Sequence, residues 1–316
     1  MTPETPCLHC GGQSADPWLQ SGVHLAPGGG ERFRFVRCRG CRLLYLEPRP
    51  DPEAMARYYP PEYPSHRGPE AWGWGRPLVA RSQRKLEARR VRRVLRHRPL
   101  GSGDVALDVG CGRPTFLQAL QERTGARCVG IDPAVDASPG DQALHLVQGT
   151  VTERRDELRD LAGRDGFRTI TLWHALEHDP EPLDTLRELN RLAAPDALLL
   201  VEVPDTASLS ARAQGEHWGG LHTPRHTVLF EPETLRSMVE AGGWSVEAQE
   251  RHGTLDPWIL WWLGARARAG DHLDGPLAPY LPGFLMGKLV AWPFTLLQRW
   301  IPLGIQSLAA RRDAGG

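Results

Sequence analysis

The sequence predicts an α/β fold: a seven-stranded sheet with helices on both faces, preceded by a small four-cysteine module. Two observations carry this expectation. Short apolar runs alternate with helical stretches between residues 104 and 252, the pattern of strands covered on both faces by helices. Ahead of them, Cys7/Cys10 and Cys38/Cys41 make two C-x-x-C pairs, a spacing that suits one tetrahedral ion. A chain of 316 residues has room for one large domain and something small.

Composition narrows the class. Charged residues at 24% and hydrophobic ones at 41% describe a globular chain and exclude a mostly disordered one. Lys+Arg and Asp+Glu both number 38, so a general polyanion binder would need a local patch. The start, MTPETPCLHC, has neither a basic n-region nor an apolar h-region, so no secretory leader is expected. The longest uncharged stretch of the greasy C-terminal region, 275–287, reads as too short and proline-broken to span a bilayer. The expected location is cytoplasmic, with peripheral contact to the inner face of the membrane as one option for the C-terminal region.

Within the first 48 residues, Gly11 and Gly12 follow the first cysteine pair and Gly40 lies inside the second, where tight turns are needed. ERFRFVRC, 31–38, alternates like a strand. In a reducing compartment such pairs are metal ligands more often than disulfides, so Cys7, Cys10, Cys38 and Cys41 read as a Zn2+ ribbon; two redox or idle pairs are the alternative. Four thiolates leave no open position, which makes the ion structural. His9 and His24 are spare ligands. Cys111 and Cys128 stand alone.

Residues 49–98 read as a linker followed by a basic helix. The linker is rich in Pro, Gly, Tyr and Trp, with one short helix at 52–59; its rings either fold over a pocket or pack the two modules together. From 81 to 98, nine Lys/Arg accompany one Glu, and Ala88, Val91 and Leu95, with Val94 beside them, mark one helical face. Such a helix meets RNA phosphates, meets an anionic membrane, or packs by its stripe on a sheet.

The strands are expected at 104–112, 128–133, 145–150, 167–173, 197–204, 244–251 and 305–312, with helices at 114–123, 152–162 and 181–193. The first strand ends in glycines, Gly110 and Gly112, and the second ends in an acid, Asp132. Strand, glycine turn, helix, strand, acid is a nucleotide-binding arrangement, in which the acid accepts from the ribose hydroxyls. A dinucleotide fingerprint would need glycine where Thr115 stands, so a nucleoside without phosphates fits better.

With VRCRGCRLLYLEPRP, ALDVGCG, VGIDP, TLWHALEHDPEPLDTLRELNRLAAPDALLLVEVP and WGGLHTPRHTVLFEPETLRSMVEAGGW, the chain resembles the class I S-adenosylmethionine-dependent methyltransferases, in particular the bacterial group with an N-terminal four-cysteine zinc ribbon. The resemblance implies a Rossmann-like sheet whose last strand is antiparallel, and S-adenosyl-L-methionine as cofactor. It implies that Asp108, Gly110, Cys111 and Gly112 cradle the methionine portion and that Asp132, with Pro133, holds the ribose. Gly149 and Thr150 would lie by the adenine, with Trp173 and His174 on the methionine side. Two departures stand out: Arg113-Pro114 replaces a third glycine, and Thr150 stands where an acid often follows, leaving adenine to backbone amides.

Methyl transfer from a sulfonium needs alignment and, for some acceptors, removal of a proton. The candidate bases are His174, Glu177 and His178 after the fourth core strand and His217, His222 and His226 after the fifth. His178 and His226 are the catalytic candidates; a cap or loop contact is the alternative for His178. Glu177 reads as a loop holder, and Arg225, near Trp218, as a binder of an anionic acceptor. The region 256–303 carries five of the eleven tryptophans; it reads as a substrate lid, a packing or subunit face, or a segment in a lipid headgroup layer. The expected domains are 1–48, 49–98 and 99–316. The function that follows is methyl transfer to a small-molecule, glycan- or lipid-linked acceptor. The alternatives are an RNA methyltransferase, which the neutral charge disfavours, and a non-catalytic zinc-and-nucleoside binding module.

Overall fold

The computed structural model describes residues 5–26, 30–59, 67–136 and 143–312; part of the aromatic linker, 60–66, lies outside the described residues. The chain begins with β1 (Ala15–Gly22), β2 (Arg32–Cys38) and β3 (Leu44–Leu46), each antiparallel to the next. A short helix α1 (Pro52–Ala56) starts at Asp51, whose side chain accepts the Ala54 N–H. A 3₁₀ segment, Pro69–Gly75, leads into α2 (Arg76–His97). The core follows as β4 (Val105–Val109), α3 (Thr115–Thr124), β5 (Arg127–Asp132), β6 (Leu144–Gln148), α4 (Arg155–Ala162), β7 (Phe167–Trp173), α5 (Pro182–Leu192) and β8 (Ala193–Pro204). Then come α6 (Leu209–Gln214), β9 (Val228–Leu229), α7 (Pro232–Ala241), β10 (Trp244–Glu250), α8 (Trp258–Arg268), α9 (Leu281–Thr295) and β11 (Ile305–Arg312).

Seven strands form one sheet in the order β10-β11-β8-β7-β4-β5-β6, at the seven apolar runs of the sequence. β4 to β8 pair in parallel, and β11 runs antiparallel to both neighbours. One face buries Leu107, Val129, Ile170 and Leu199 against Leu158 of α4, Leu186 of α5 and Met238 of α7. The other buries Ala106, Cys128, Leu198 and Leu200 against Val91 and Val94 of α2 and Phe116 and Leu117 of α3. Each such side chain contributes about 1.5–3 kcal/mol by leaving water, which is why the runs become central strands.

The basic helix packs on this second face, with a stripe different from the expected one. Ala88 is exposed, whereas Glu87 and Arg93 are buried beside Val91 and Val94. The charges are accommodated by partners. Arg93 donates to Glu250 and to Ser307 Oγ, and Arg98 to Asp196 at 2.6 Å. Part of the basic run is therefore spent fastening α2 to the sheet.

A second sheet has the order β1-β2-β3-β9. Its last strand comes from the segment after β8, with Tyr45 opposite Val228 and Leu44 opposite Leu229. The cysteine module and the segment carrying His226 thus share a sheet.

In the insertion, Trp262 of α8 meets Phe284 of α9 edge-on, with ring centroids 5.4 Å apart, and packs with Leu25, Leu273 and Leu277. The expectation of a stretch too short for a bilayer needs correction. The helical run Ala278–Arg299 spans 22 residues, long and apolar enough by length and composition to cross a membrane. Lys288 lies within it and pairs through Nζ with Asp256 at 2.6 Å. Only 6% of its most apolar window is buried; Met286, Leu289, Val290, Trp292 and Phe294 are exposed.

Candidate functional site

The glycine turn after β4 and the tip of β5 face each other at the carboxyl ends of the parallel strands. Gly110 has φ +69°, and a Cβ there would lie 2.6 Å from that of Ala175, so this bend admits glycine alone. The Gly110 and Cys111 amides donate to the Ile131 carbonyl at 2.8 and 3.2 Å. The Gly112 amide donates instead to Asp132 Oδ2 at 3.0 Å, and Ala134 N–H reaches Oδ1 at 2.8 Å. The Asp132 carboxylate is thereby fixed across the mouth of the turn, half-buried, with lone pairs left for further donors. Pro133 beside it is exposed.

Cys111 keeps its thiol in the core, where burial raises its pKa; Gly130 makes the room, since a Cβ there would lie 2.7 Å from the Cys111 sulfur. Pro114 sits at the N-cap of α3, where its missing N–H costs the helix nothing. At the other departure, Thr150 N–H donates to Glu153 Oε2 at 3.0 Å and Glu153 N–H to Thr150 Oγ1 at 3.3 Å. The Thr150 amide is therefore already paired. Glu153 brings a carboxylate to the Gly149 turn from three residues on.

Asp108, at the end of β4, is buried and accepts from Thr171 Oγ1 at 2.6 Å. Burial pushes its carboxyl up to about 7 despite that bond. Two residues of α2 join it that the sequence reading did not single out. Glu87 accepts from Thr115 Oγ1 at 2.9 Å, and the Arg90 guanidinium lies 5.2 Å from the centre of the Trp173 ring. The Arg90 charge acts on both Asp108 and Glu202. In a run of nine basic residues, no sequence signal separates Arg90 from its neighbours.

After β7, His174 has φ +58°, a region β-carbon residues seldom occupy. It is held between two carboxylates: Nε2 is 3.2 Å from Glu202 Oε1 and Nδ1 is 3.4 Å from Glu177 Oε1. Burial opposes its charge, but the two acids outweigh burial, and His174 titrates at about 9. Glu202, buried yet held charged by His174, the Thr254 amide and Arg90, falls to about 2. The short helix Leu176–His178 then meets the segment of β9, where Thr227 N–H donates to the Glu177 carbonyl at 2.9 Å.

This brings His178, His222 and His226 together, with ring centroids 4.5–6.1 Å apart. Burial lowers the pKa of all three, so they are neutral at pH 7. Tyr59 of the linker places its hydroxyl 2.8 Å from His178 Nδ1. Arg225 does not face an open acceptor site: it is buried and donates to the Tyr58 carbonyl at 2.7 Å and the His24 carbonyl at 3.0 Å. Trp218 is likewise buried, bonded to Ser210, and His217 lies apart at the edge of a short helix.

In the N-terminal module the four thiols converge. Cys7 and Cys41 Sγ are 3.4 Å apart, Cys10 and Cys38 Sγ 3.5 Å, and all four lie within 4.8 Å of one another. Sulfurs bound at about 2.3 Å around a tetrahedral zinc sit roughly 3.8 Å apart, so the donor set fits that ion. A hydrogen bond from Cys41 pulls the Cys7 thiol down to about 5, and burial raises Cys38; one thiolate is favoured and a second resisted, the situation a cation relieves. His9 bonds Ser237 and His24 bonds Ser21, so neither joins the cysteines.

Comparison with known proteins gives the family of this chain. A C-methyltransferase NovU of Streptomyces niveus is 26% identical over 209 residues, 64% of this chain and 46% of the relative. A ubiquinone biosynthesis O-methyltransferase of Nitrosospira multiformis is 35% identical over 109 residues, 32% of this chain and 42% of the relative. The chain thus spans less than half the length of these curated relatives. Among solved structures, the 1,6-didemethyltoxoflavin-N1-methyltransferase of Burkholderia thailandensis superposes with a TM-score of 0.48 at 14% identity, over 89% of this chain and 95% of that one. The model of the family described as "Methyltransferase domain" matches residues 80–249, more than half of the chain, from within α2 into β10. This chain therefore belongs to the methyltransferase-domain family.

Proposed function

We propose that the protein transfers the methyl group of S-adenosylmethionine to a small-molecule acceptor, glycan- or lipid-linked acceptors included. The observation that carries this is the Asp132 carboxylate, held over the glycine turn by the Gly112 amide at 3.0 Å. That is the station from which a strand-tip acid accepts from a ribose diol. Asp108 and Arg90 are oppositely charged partners suited to the ammonium and carboxylate of an amino-acid tail, with Trp173 and His174 beside them. Gly110 and the Gly149 turn border the nucleoside. Bound there, the cofactor supplies a methyl carbon on a positive sulfur, already a good leaving group.

The chain's own task is then alignment and proton handling. His178 and His226, neutral and beside the strand ends, are the groups suited to contact the acceptor and take its proton. The names of the curated relatives, a C- and an O-methyltransferase, support a small acceptor. The consumption of Arg93 and Arg98 in packing weighs against an RNA grip by α2. In this reading the cysteines hold a structural zinc ion that stiffens β2 and β3 and, through them, β9. The exposed apolar face of α9 gives peripheral contact with a lipid surface at the cytoplasmic side. Calorimetric titration with S-adenosylmethionine tests the central reading. Saturable heat with one site per chain is expected; no heat and no thermal protection would leave the non-catalytic module instead.

A further inference from the structure

The three histidines meet a condition that general-base chemistry does not require. One ring nitrogen from each of His178, His222 and His226 lies within 4.8 Å of the corresponding atoms of the other two. A base needs one such nitrogen; three converging on a common point make a ligand set. One of the rings is also held in the tautomer a metal needs. His226 Nδ1 is 2.8 Å from the Gly220 carbonyl oxygen; a carbonyl only accepts, so this Nδ1 carries the proton and Nε2 keeps its lone pair. Backbone carbonyls fix metal-bound imidazoles in the same way. His178 Nδ1 is shared between the Arg225 carbonyl oxygen at 3.1 Å and the Tyr59 hydroxyl at 2.8 Å.

An independent observation concerns Glu177. Its side chain is 1% exposed and neither oxygen has a hydrogen-bond partner among the described residues, yet Oε1 lies 4.0 Å from His226 Nε2. A buried carboxylate without a donor is costly unless a cation is near. His174 supplies part of that charge from 3.4 Å; Oε1 also faces the His226 ring.

We propose that His178, His222 and His226 hold one divalent transition-metal ion of the zinc, cobalt or nickel class, distinct from the ion of the cysteine module. Three imidazoles leave a fourth tetrahedral position open. Resting on the methyltransferase reading, that position takes an oxygen of the acceptor and lowers its pKa. Imidazole donors select this class over magnesium or calcium, which prefer oxygen. With the ion bound, the histidine nitrogens are ligands and the acceptor's proton passes to solvent water; the proton-taking role of His178 and His226 belongs to the metal-free chain.

The test uses the full chain with zinc in the cysteine module and the remaining metal dialysed away, titrated with Co2+. The expected result is one further equivalent per chain, with visible bands of nitrogen- and oxygen-bound cobalt and no thiolate charge-transfer band. His178→Gln and His222→Asn should each abolish that equivalent while the cysteine-bound zinc and S-adenosylmethionine binding persist. His222 has φ +41°, a conformation asparagine tolerates, so this variant retains the backbone. No second equivalent in the unaltered chain, or a second equivalent kept by both variants, would overturn the proposal and return the histidines to a metal-free role. Cobalt uptake without any binding of S-adenosylmethionine would sink the methyltransferase reading and leave the metal site standing.

Discussion

Tyr45 of the cysteine module and Val228, two residues beyond His226, lie opposite each other in an antiparallel pair. Tyr45 is fully buried, and its strand neighbour Leu46 donates its N–H to the Thr227 carbonyl at 2.9 Å. The backbone that positions the histidines is therefore an edge of the sheet the cysteines anchor. Cys7→Ser with Cys38→Ser, which breaks the zinc site proposed for the cysteines without touching the histidines, should raise hydrogen exchange at 222–230 and raise the acceptor KM more than it weakens cofactor binding. Exchange confined to the cysteine turns, with 222–230 still protected, would show the two regions to be uncoupled.

Asp108 gives a pH signature. Its folded pKa of about 7 stands above the ordinary 3.8, so the folded state keeps a proton the unfolded chain has lost. Its contribution to stability therefore declines as pH rises from 3.8 to about 7. A ligand ammonium beside it favours the ionised form. S-adenosylmethionine affinity should thus increase from about pH 6 to about pH 8 with proton release on binding, and Asp108→Asn should bind more weakly with that slope flattened. Calorimetry in buffers of different ionisation enthalpy reads both.

The His174 trio should shape stability at both extremes. His174 is raised from 6.5 to about 9, so its stabilisation is complete below 6.5 and lost as pH climbs through 9. Glu202 is depressed from 4.5 to about 2, so its share is present above 4.5 and lost as pH falls toward 2. Each arm is on the order of 1–3 kcal/mol. Thermal unfolding of His174→Gln should lose the alkaline decline; an unchanged decline would place its origin elsewhere.

For the apolar face of α9, Leu289→Glu with Val290→Glu should leave thermal stability within about 0.5 kcal/mol, because both side chains are exposed. The same pair should abolish co-sedimentation of the chain with anionic vesicles. Equal sedimentation of both proteins, or none by either, would remove the lipid contact from the account.

How far the sequence discloses this molecule depends on what each feature is made of. The central strands are legible because each is a short apolar run covered on both faces, as Leu198 to Val201 illustrate, whereas the edge strands β6 and β10 are only partly buried. β9 is two residues long and has no period to read; only the pairing with β3 defines it. The α2 stripe misleads because Glu87 and Arg93 are buried with partners from distant segments, Thr115 and Glu250. The glycines and Asp132 are readable as a local motif. Arg90, Glu202 and Tyr59 are not, since their places beside Trp173, His174 and His178 arise from tertiary packing. The histidines are visible one by one, but their convergence is not, because His178 and His226 lie 48 positions apart with β8 between them.

Titrating S-adenosylmethionine into the parent chain and into Asp132→Ala puts the crevice itself to trial. Loss of a charged acceptor for two ribose hydroxyls should weaken binding by roughly 10- to 100-fold, about 1.5–3 kcal/mol, with the fold intact by circular dichroism. Equal affinity in the two proteins would mean that the ligand does not lie against this carboxylate.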